Sequence, residues 1–154
     1  ELAGEISAIS ADHLIKVSDS GIKSLFDGNV IATLLPGTTF FLGSNTYAPA
    51  RKILEAGVSV ALATDFNPGT CHIQSMSFIL SLACLNLGLD IEEAFQSATW
   101  ESAKTLSLHK EVGSLDVGKK ADIIIWDLER LIQIPYFTSD VPIHKVIKSG
   151  KLVY

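Results

Sequence analysis

The chain has 154 residues, 47% of them hydrophobic, and a formal net charge of −5, so it can form one globular domain or parts of two. This acidic balance, with scattered lysines and arginines, argues against nucleic-acid binding. No apolar run reaches the roughly 18 residues that span a bilayer, and Glu1-Leu2-Ala3-Gly4-Glu5 lacks the basic start of a signal peptide. We therefore expect a cytoplasmic protein that does not bind membranes. Cys71 and Cys84 are expected to be reduced, with a disulfide as the less favoured alternative.

The first half of the chain alternates short apolar runs with helical patterns. Ser18 or Asp19 can cap a helix that runs to about Phe26. The strand over residues 30–35 is predicted to stop at Pro36-Gly37. The third apolar run lacks polar alternation, which is typical of a parallel strand buried on both faces. The predicted elements are strand 8–13, helix 18–26, strand 30–35, helix 49–56 and strand 58–64.

Further helices follow the third strand. Ser75 begins a strongly periodic helix that ends at Gly88, and Asp90 with Glu93 has the spacing of a capping box. Thr99 is predicted to cap another helix, which runs through Leu106. The resulting β-α-β-α-β-α order predicts a parallel sheet with right-handed crossovers.

The tail after residue 108 has a different character. Residues 113–120 are rich in turn formers, 121–126 read as a strand, and 141–154 offer two more strands around a Ser149-Gly150-Lys151 turn. We therefore divide the chain into residues 1–108 and 109–154. The second part is too small to be stable alone, so we expect it to complete a sheet whose other strands lie elsewhere.

Two residues at predicted strand ends are candidates for chemistry. Asp65 follows the buried third strand, and His13 ends the first strand. The carboxyl ends of parallel strands are where α/β barrels gather their active-site groups. Asp65 can equally cap the following loop, and a lone histidine is more often structural than catalytic. The residues alone leave both choices open.

The loop after Asp65 has two interpretations as well. Asn67-Pro68-Gly69-Thr70 can present backbone N–H groups and a hydroxyl to an anion, or it can be an ordinary turn. Cys71 and His72 follow at once, but a soft metal site there needs further ligands that the local sequence lacks. His109 and His144, in the tail, are expected to face solvent.

At these residues the chain resembles the imidazolonepropionases, a family of metal-dependent amidohydrolases of histidine breakdown. The blocks specific to that family are Ser10-Ala11-Asp12-His13-Leu14 and the stretch from Ala63 to Thr70, with Leu34-Leu35-Pro36-Gly37 between them. The block 113–122 and the closing 146–151 are similar to amidohydrolases in general.

The resemblance implies the fold and the division of the chain. It implies that residues 1–108 are the last three β/α units of a (β/α)8 TIM-type barrel, and that 109–154 are C-terminal strands of a small composite β-sandwich. It also implies a missing N-terminal part of the same enzyme, which holds most of the metal-binding histidines, and a homodimer at full length. The isolated chain is then expected to be inactive.

The resemblance also implies roles for individual residues. Asp65 resembles a metal ligand that moves protons, and His13 a histidine that faces the reacting carbonyl of the substrate. Asn67, Gly69 and Thr70 match the loop that holds the carboxylate of a small-molecule substrate, imidazolone-5-propionate. The implied cofactor is one divalent zinc or iron ion, absent from or weakly bound to the isolated chain. Cys71-His72 departs from the family's usual residues in this loop.

Two other functions stay open from the sequence. One is a different amidohydrolase, such as a deaminase of a nitrogen heterocycle, against which the Asn67–Thr70 loop argues. The other is a stand-alone, non-catalytic assembly module, which would have to bury the open edges of its sheet against a partner.

Overall fold

A computed structural model describes residues 1–138 and 140–154 of the chain. It is an α/β structure with two separate three-stranded sheets. A π-helical segment, Ser97–Glu101, connects two of its α-helices. In chain order the elements are α1 Leu2–Glu5, β1 Ser10–Asp12, α2 Asp19–Asp27, β2 Ile31–Leu34, α3 Pro36–Phe41, α4 Ala50–Glu55, β3 Val60–Leu62, α5 Met76–Asn86, α6 Ile91–Gln96, α7 Ser102–Thr105, β4 Ile123–Trp126, α8 Gln133–Phe137, β5 Ile143–Lys148 and β6 Lys151–Leu152.

The first sheet is parallel, as the alternation of strands and helices predicts. β2 lies at its centre, and Thr33 pairs in register with Asp12 of β1 and Ala61 of β3. All three residues of β3 are buried, which confirms the strand predicted over Val58 to Thr64, although the strand itself is shorter. Because the strands are parallel, their carboxyl ends meet at one edge of the sheet.

The hydrophobic core joins this sheet to the helices. Leu34 and Leu62 from the strands lie in one cluster with Leu25, Ile53 and Ile79 from the helices, each at most 2% exposed. Burial of such a side chain contributes about 1.5–3 kcal/mol. The core therefore fixes the position of the strand ends relative to the helices that follow them.

Side-chain caps place the helix starts where the sequence predicts them. Ser18 accepts a hydrogen bond from the Gly21 N–H at 3.0 Å, and Ser75 accepts one from the Phe78 N–H at 3.2 Å. Asp90 and Glu93 form the predicted capping box, with both reciprocal hydrogen bonds present.

Pro36 follows the end of β2, as predicted, and it also begins α3, a helix that the sequence did not indicate. Proline suits the first turn of a helix, where its missing N–H is not needed. One helix prediction was wrong. Thr99 does not cap a new helix. Its Oγ1 donates to the Phe95 carbonyl at 2.7 Å, and the chain continues from α6 through the π-helical segment into α7.

The tail forms the second sheet, in the order β4-β5-β6 with both pairings antiparallel. The sequence did not predict α8, whose Ile134 is 1% exposed in the core. The expectation that His109 faces solvent was wrong: its ring packs edge-on against Trp100, with ring centroids 5.6 Å apart. His144 is exposed, as predicted.

Both cysteines are free thiols, Cys71 buried and Cys84 partly buried. Among residues 1–138 and 140–154, no helix has the length and apolar character needed to cross a membrane.

Candidate functional site

The two sequence-predicted catalytic candidates lie together at the carboxyl ends of the parallel strands. His13 directly follows β1, and Asp65 lies three residues after β3. The His13 Nε2 atom is 3.8 Å from Asp65 Oδ2, which is close but beyond a hydrogen bond. The Asp65 side chain is 26% exposed and that of His13 is 47% exposed, so both groups are open to a ligand.

The backbone bends sharply at both positions. The φ angles of His13, Leu14 and Asp65 are +67°, +57° and +54°, in the left-handed region. This region is uncommon for residues other than glycine, and such conformations cluster at functional sites. Both candidate residues therefore have an uncommon backbone conformation shortly after the end of a strand.

Thr38 is a third residue of the candidate site, and the sequence did not indicate it. Thr38 lies in the first turn of α3, and its Oγ1 donates a hydrogen bond of 2.5 Å to Asp65 Oδ2. The available signal was its position, four residues after the end of β2 at the same sheet edge. Recognising α3 in the sequence would have placed Thr38 in the first turn of a helix at this end of the sheet, without showing its contact with Asp65.

The predicted substrate loop is a compact turn built around Asn67. The Asn67 Oδ1 atom accepts hydrogen bonds from the Gly69 N–H at 2.9 Å, the Thr70 N–H at 2.8 Å and the Thr70 hydroxyl at 3.2 Å. The Asn67 Nδ2 group donates to the Asp65 carbonyl at 2.7 Å. The loop is therefore a turn, and its two N–H groups and the Thr70 hydroxyl are hydrogen-bonded to the Asn67 side chain within the loop.

Cys71 and His72 follow this loop and contact backbone carbonyls at Thr64 and Pro68. Cys71 is fully buried, and its thiol donates to the Thr64 carbonyl at 3.2 Å. His72 is exposed, with Nε2 3.2 Å from the Pro68 carbonyl oxygen. Neither residue belongs to a metal-binding cluster: in the part of the chain that the structure describes, no three His, Cys, Asp or Glu side chains gather closely enough to hold an ion.

A cavity of about 260 Å³ lies away from this site. Val58 and Ser59 line it at the amino end of β3, together with the buried Glu101. Asp65 is at the opposite end of the same strand, so the cavity is separate from the candidate site.

The family model for the amidohydrolase family matches residues 3–153, and the chain belongs to that family. Within it, the chain is similar to imidazolonepropionases. It is 45% identical to the one from Bacillus velezensis and 48% identical to the one from Geobacillus kaustophilus. Each match covers 99% of this chain and 36% of the relative. The chain therefore spans about a third of the length of these relatives.

Solved structures support the same fold at lower identity. An adenosine deaminase from Xanthomonas campestris with bound zinc superposes with a TM-score of 0.81 at 23% identity, over 93% of this chain and 36% of that one. A guanine deaminase from C. acetobutylicum with bound guanine gives a TM-score of 0.75 at 26% identity, over 94% and 39%.

Proposed function

We propose that this chain is the C-terminal part of an imidazolonepropionase, which hydrolyses imidazolone-5-propionate to N-formimino-L-glutamate in the cytoplasm. One observation carries the proposal: His13 and Asp65 converge at the end of a parallel sheet in a chain at least 42% identical to imidazolonepropionases. The relatives' greater length supports the further proposal that the isolated chain is inactive and that an upstream part completes the enzyme.

The proposed architecture follows from the open sheet. Residues 1–108 are the last three β/α units of a (β/α)8 barrel, and 109–154 are strands of a composite β-sandwich. β1 and β3 are both edge strands of the described sheet, and an edge strand leaves a row of backbone N–H and C=O groups without a strand partner. Upstream strands would cover these edges, and a homodimer at full length is part of the same proposal.

Asp65 and His13 have different roles at the reacting amide: Asp65 transfers a proton, and His13 donates a hydrogen bond. An Asp65 carboxylate oxygen accepts a proton from the attacking water and returns it to the ring nitrogen that leaves. His13, 3.8 Å away, donates a hydrogen bond from Nε2 to the oxygen that becomes negative. Both groups are partly exposed at one edge of the sheet, so a planar ring can reach both.

The donor set fits a divalent metal only in part. Asp65 offers carboxylate oxygen, which zinc and iron accept, but a catalytic zinc site usually has about three protein ligands. We propose that Asp65 holds the ion together with histidines from the upstream part. When bound there, zinc or iron would supply the Lewis acidity that lowers the pKa of water.

Asn67, Gly69 and Thr70 form the proposed carboxylate site. Two N–H groups and one hydroxyl donate to Asn67 Oδ1, so a bound carboxylate would compete with that oxygen for the same donors. A substrate propionate would take over some of these donors and so align the distant ring with Asp65.

A substrate panel tests this function. The full-length protein should release N-formimino-L-glutamate from imidazolone-5-propionate and leave guanine and adenosine unchanged. The second candidate function is a heterocycle deaminase, which the similarity of fold to two deaminases supports. Deamination of guanine or adenosine without ring opening of imidazolone-5-propionate would favour it.

A further inference from the structure

Thr38 is placed to act on Asp65 rather than on a substrate. It is 7% exposed, in the first turn of the helix that follows β2. Its hydroxyl donates to Asp65 Oδ2, the same oxygen that faces His13. At 2.5 Å this is the length of a strong hydrogen bond between a hydroxyl and a charged carboxylate.

The backbone on both sides of this hydrogen bond is closely packed. A Cβ atom on Gly37 would lie 2.9 Å from Ile79 Cδ1, 3.2 Å from the Thr64 carbonyl oxygen and 3.4 Å from Cys71 Sγ. A Cβ there would displace the Ile79 methyl group and crowd the Thr64 carbonyl, so glycine suits this approach of α3 to the strand end. The Cys71 thiol in turn donates to the Thr64 carbonyl, next to Asp65.

We propose that Thr38 is a positioning residue, which fixes the rotamer of Asp65 by holding Oδ2 and so leaves the other carboxylate oxygen free for its proposed role. This inference rests on the proposed role of Asp65. A carboxylate side chain at a bend with φ of +54° and 26% exposed has room to turn, and the Thr38 hydroxyl removes that freedom. Partners of this kind orient metal ligands, and their loss typically costs about 10–100-fold in affinity or activity.

The test compares Thr38→Val with Thr38→Ser in the full-length protein. Valine keeps the shape without a donor, whereas serine keeps the hydroxyl. Thr38→Val should lower kcat for imidazolone-5-propionate by about 10–100-fold with KM within about threefold, and release metal to a competing chelator about 10–100-fold more readily. Thr38→Ser should restore most of both quantities. Thr39→Val is the matched control, because Thr39 is a buried threonine on the same helix at 3% exposure.

The outcomes separate this inference from the proposed function. Equal losses in the valine and serine variants, or a valine variant with wild-type kcat and metal affinity, would overturn the role of Thr38. If Thr38→Val does not fold, Thr38→Ala against Thr38→Ser makes the same comparison. An Asp65→Asn variant is measured in parallel. Wild-type turnover by that variant would overturn the role of Asp65 itself, whereas its inactivity beside a fully active Thr38→Val would overturn only the inference on Thr38.

Discussion

At the scale of single residues, Asp65 contacts α3, the loop that follows it and the residue after β1. Its side chain accepts from Thr38, its carbonyl accepts from Asn67, and its carboxylate faces His13. The sequence predicted Asp65 and His13 because each follows an apolar strand. It did not indicate Thr38, because that hydrogen bond joins residues 27 positions apart and depends on how α3 leaves the sheet.

Thr70→Ala tests the proposed carboxylate site. Loss of the hydroxyl should raise KM for imidazolone-5-propionate by roughly tenfold or more with little change in kcat, because a hydrogen bond to a charged group contributes about 1.5–3 kcal/mol. Steady-state kinetics of the full-length protein measure both constants, with Thr46→Ala, in an exposed loop, as the control. A loss confined to kcat would argue against substrate binding by Thr70.

At the scale of elements, the helix caps could be predicted from the sequence, whereas the π-helical segment depends on tertiary packing. The caps at Ser18, Ser75 and Asp90 follow from sequence spacing alone, and all three are present. The π-helical segment does not follow from spacing. Its neighbour Ser102 donates to the Leu62 carbonyl of β3 at 2.8 Å, a contact that local patterns cannot predict.

Glu93 links α6 to α4 and makes stability depend on pH. Hydrogen bonds from the Arg51 guanidinium, and then from the Asp90 N–H, lower the pKa of the Glu93 carboxyl. A carboxyl whose pKa is lowered by folding stabilises the protein above its unfolded pKa, and this contribution disappears as the pH falls through the folded pKa. The melting temperature should therefore decline in acid below the ordinary pKa of glutamate, from about pH 4.3 downward.

Glu93→Gln should make that decline shallower. Glutamine retains an oxygen for the capping box, so the difference reports the charge on Glu93. Glu92→Gln, at the exposed neighbouring position, is the matched control. Melting temperatures of the three proteins from neutral pH to about pH 3 give the comparison; parallel curves for Glu93→Gln and wild type would contradict the assignment.

At the scale of the whole molecule, the described residues form one parallel and one antiparallel three-stranded sheet. The alternation of strands and helices predicted the parallel sheet, because only crossover connections join parallel neighbours. The barrel and the sandwich stay predictions, because the described residues form only two three-stranded sheets. The hydroxyl oxygen of Thr33, on the central strand, is buried without a hydrogen-bond partner in the described residues.

The proposed metal site predicts weak metal binding by the isolated chain. Asp65 is a single proposed ligand, whereas a catalytic zinc site uses about three. After dialysis against a weak chelator, the purified chain should contain far less than one zinc or iron per molecule by elemental analysis. One tightly held ion per chain would mean that the site is complete without an upstream part.

The most direct test of the proposed function is the turnover of imidazolone-5-propionate by the full-length protein with Asp65→Asn. Asparagine keeps the shape but cannot carry the proton, so kcat should fall by at least about 100-fold. Asp12→Asn, an exposed aspartate at the end of β1, is the control and should keep near-normal activity. Near-normal turnover by Asp65→Asn would contradict the proposed function of the site.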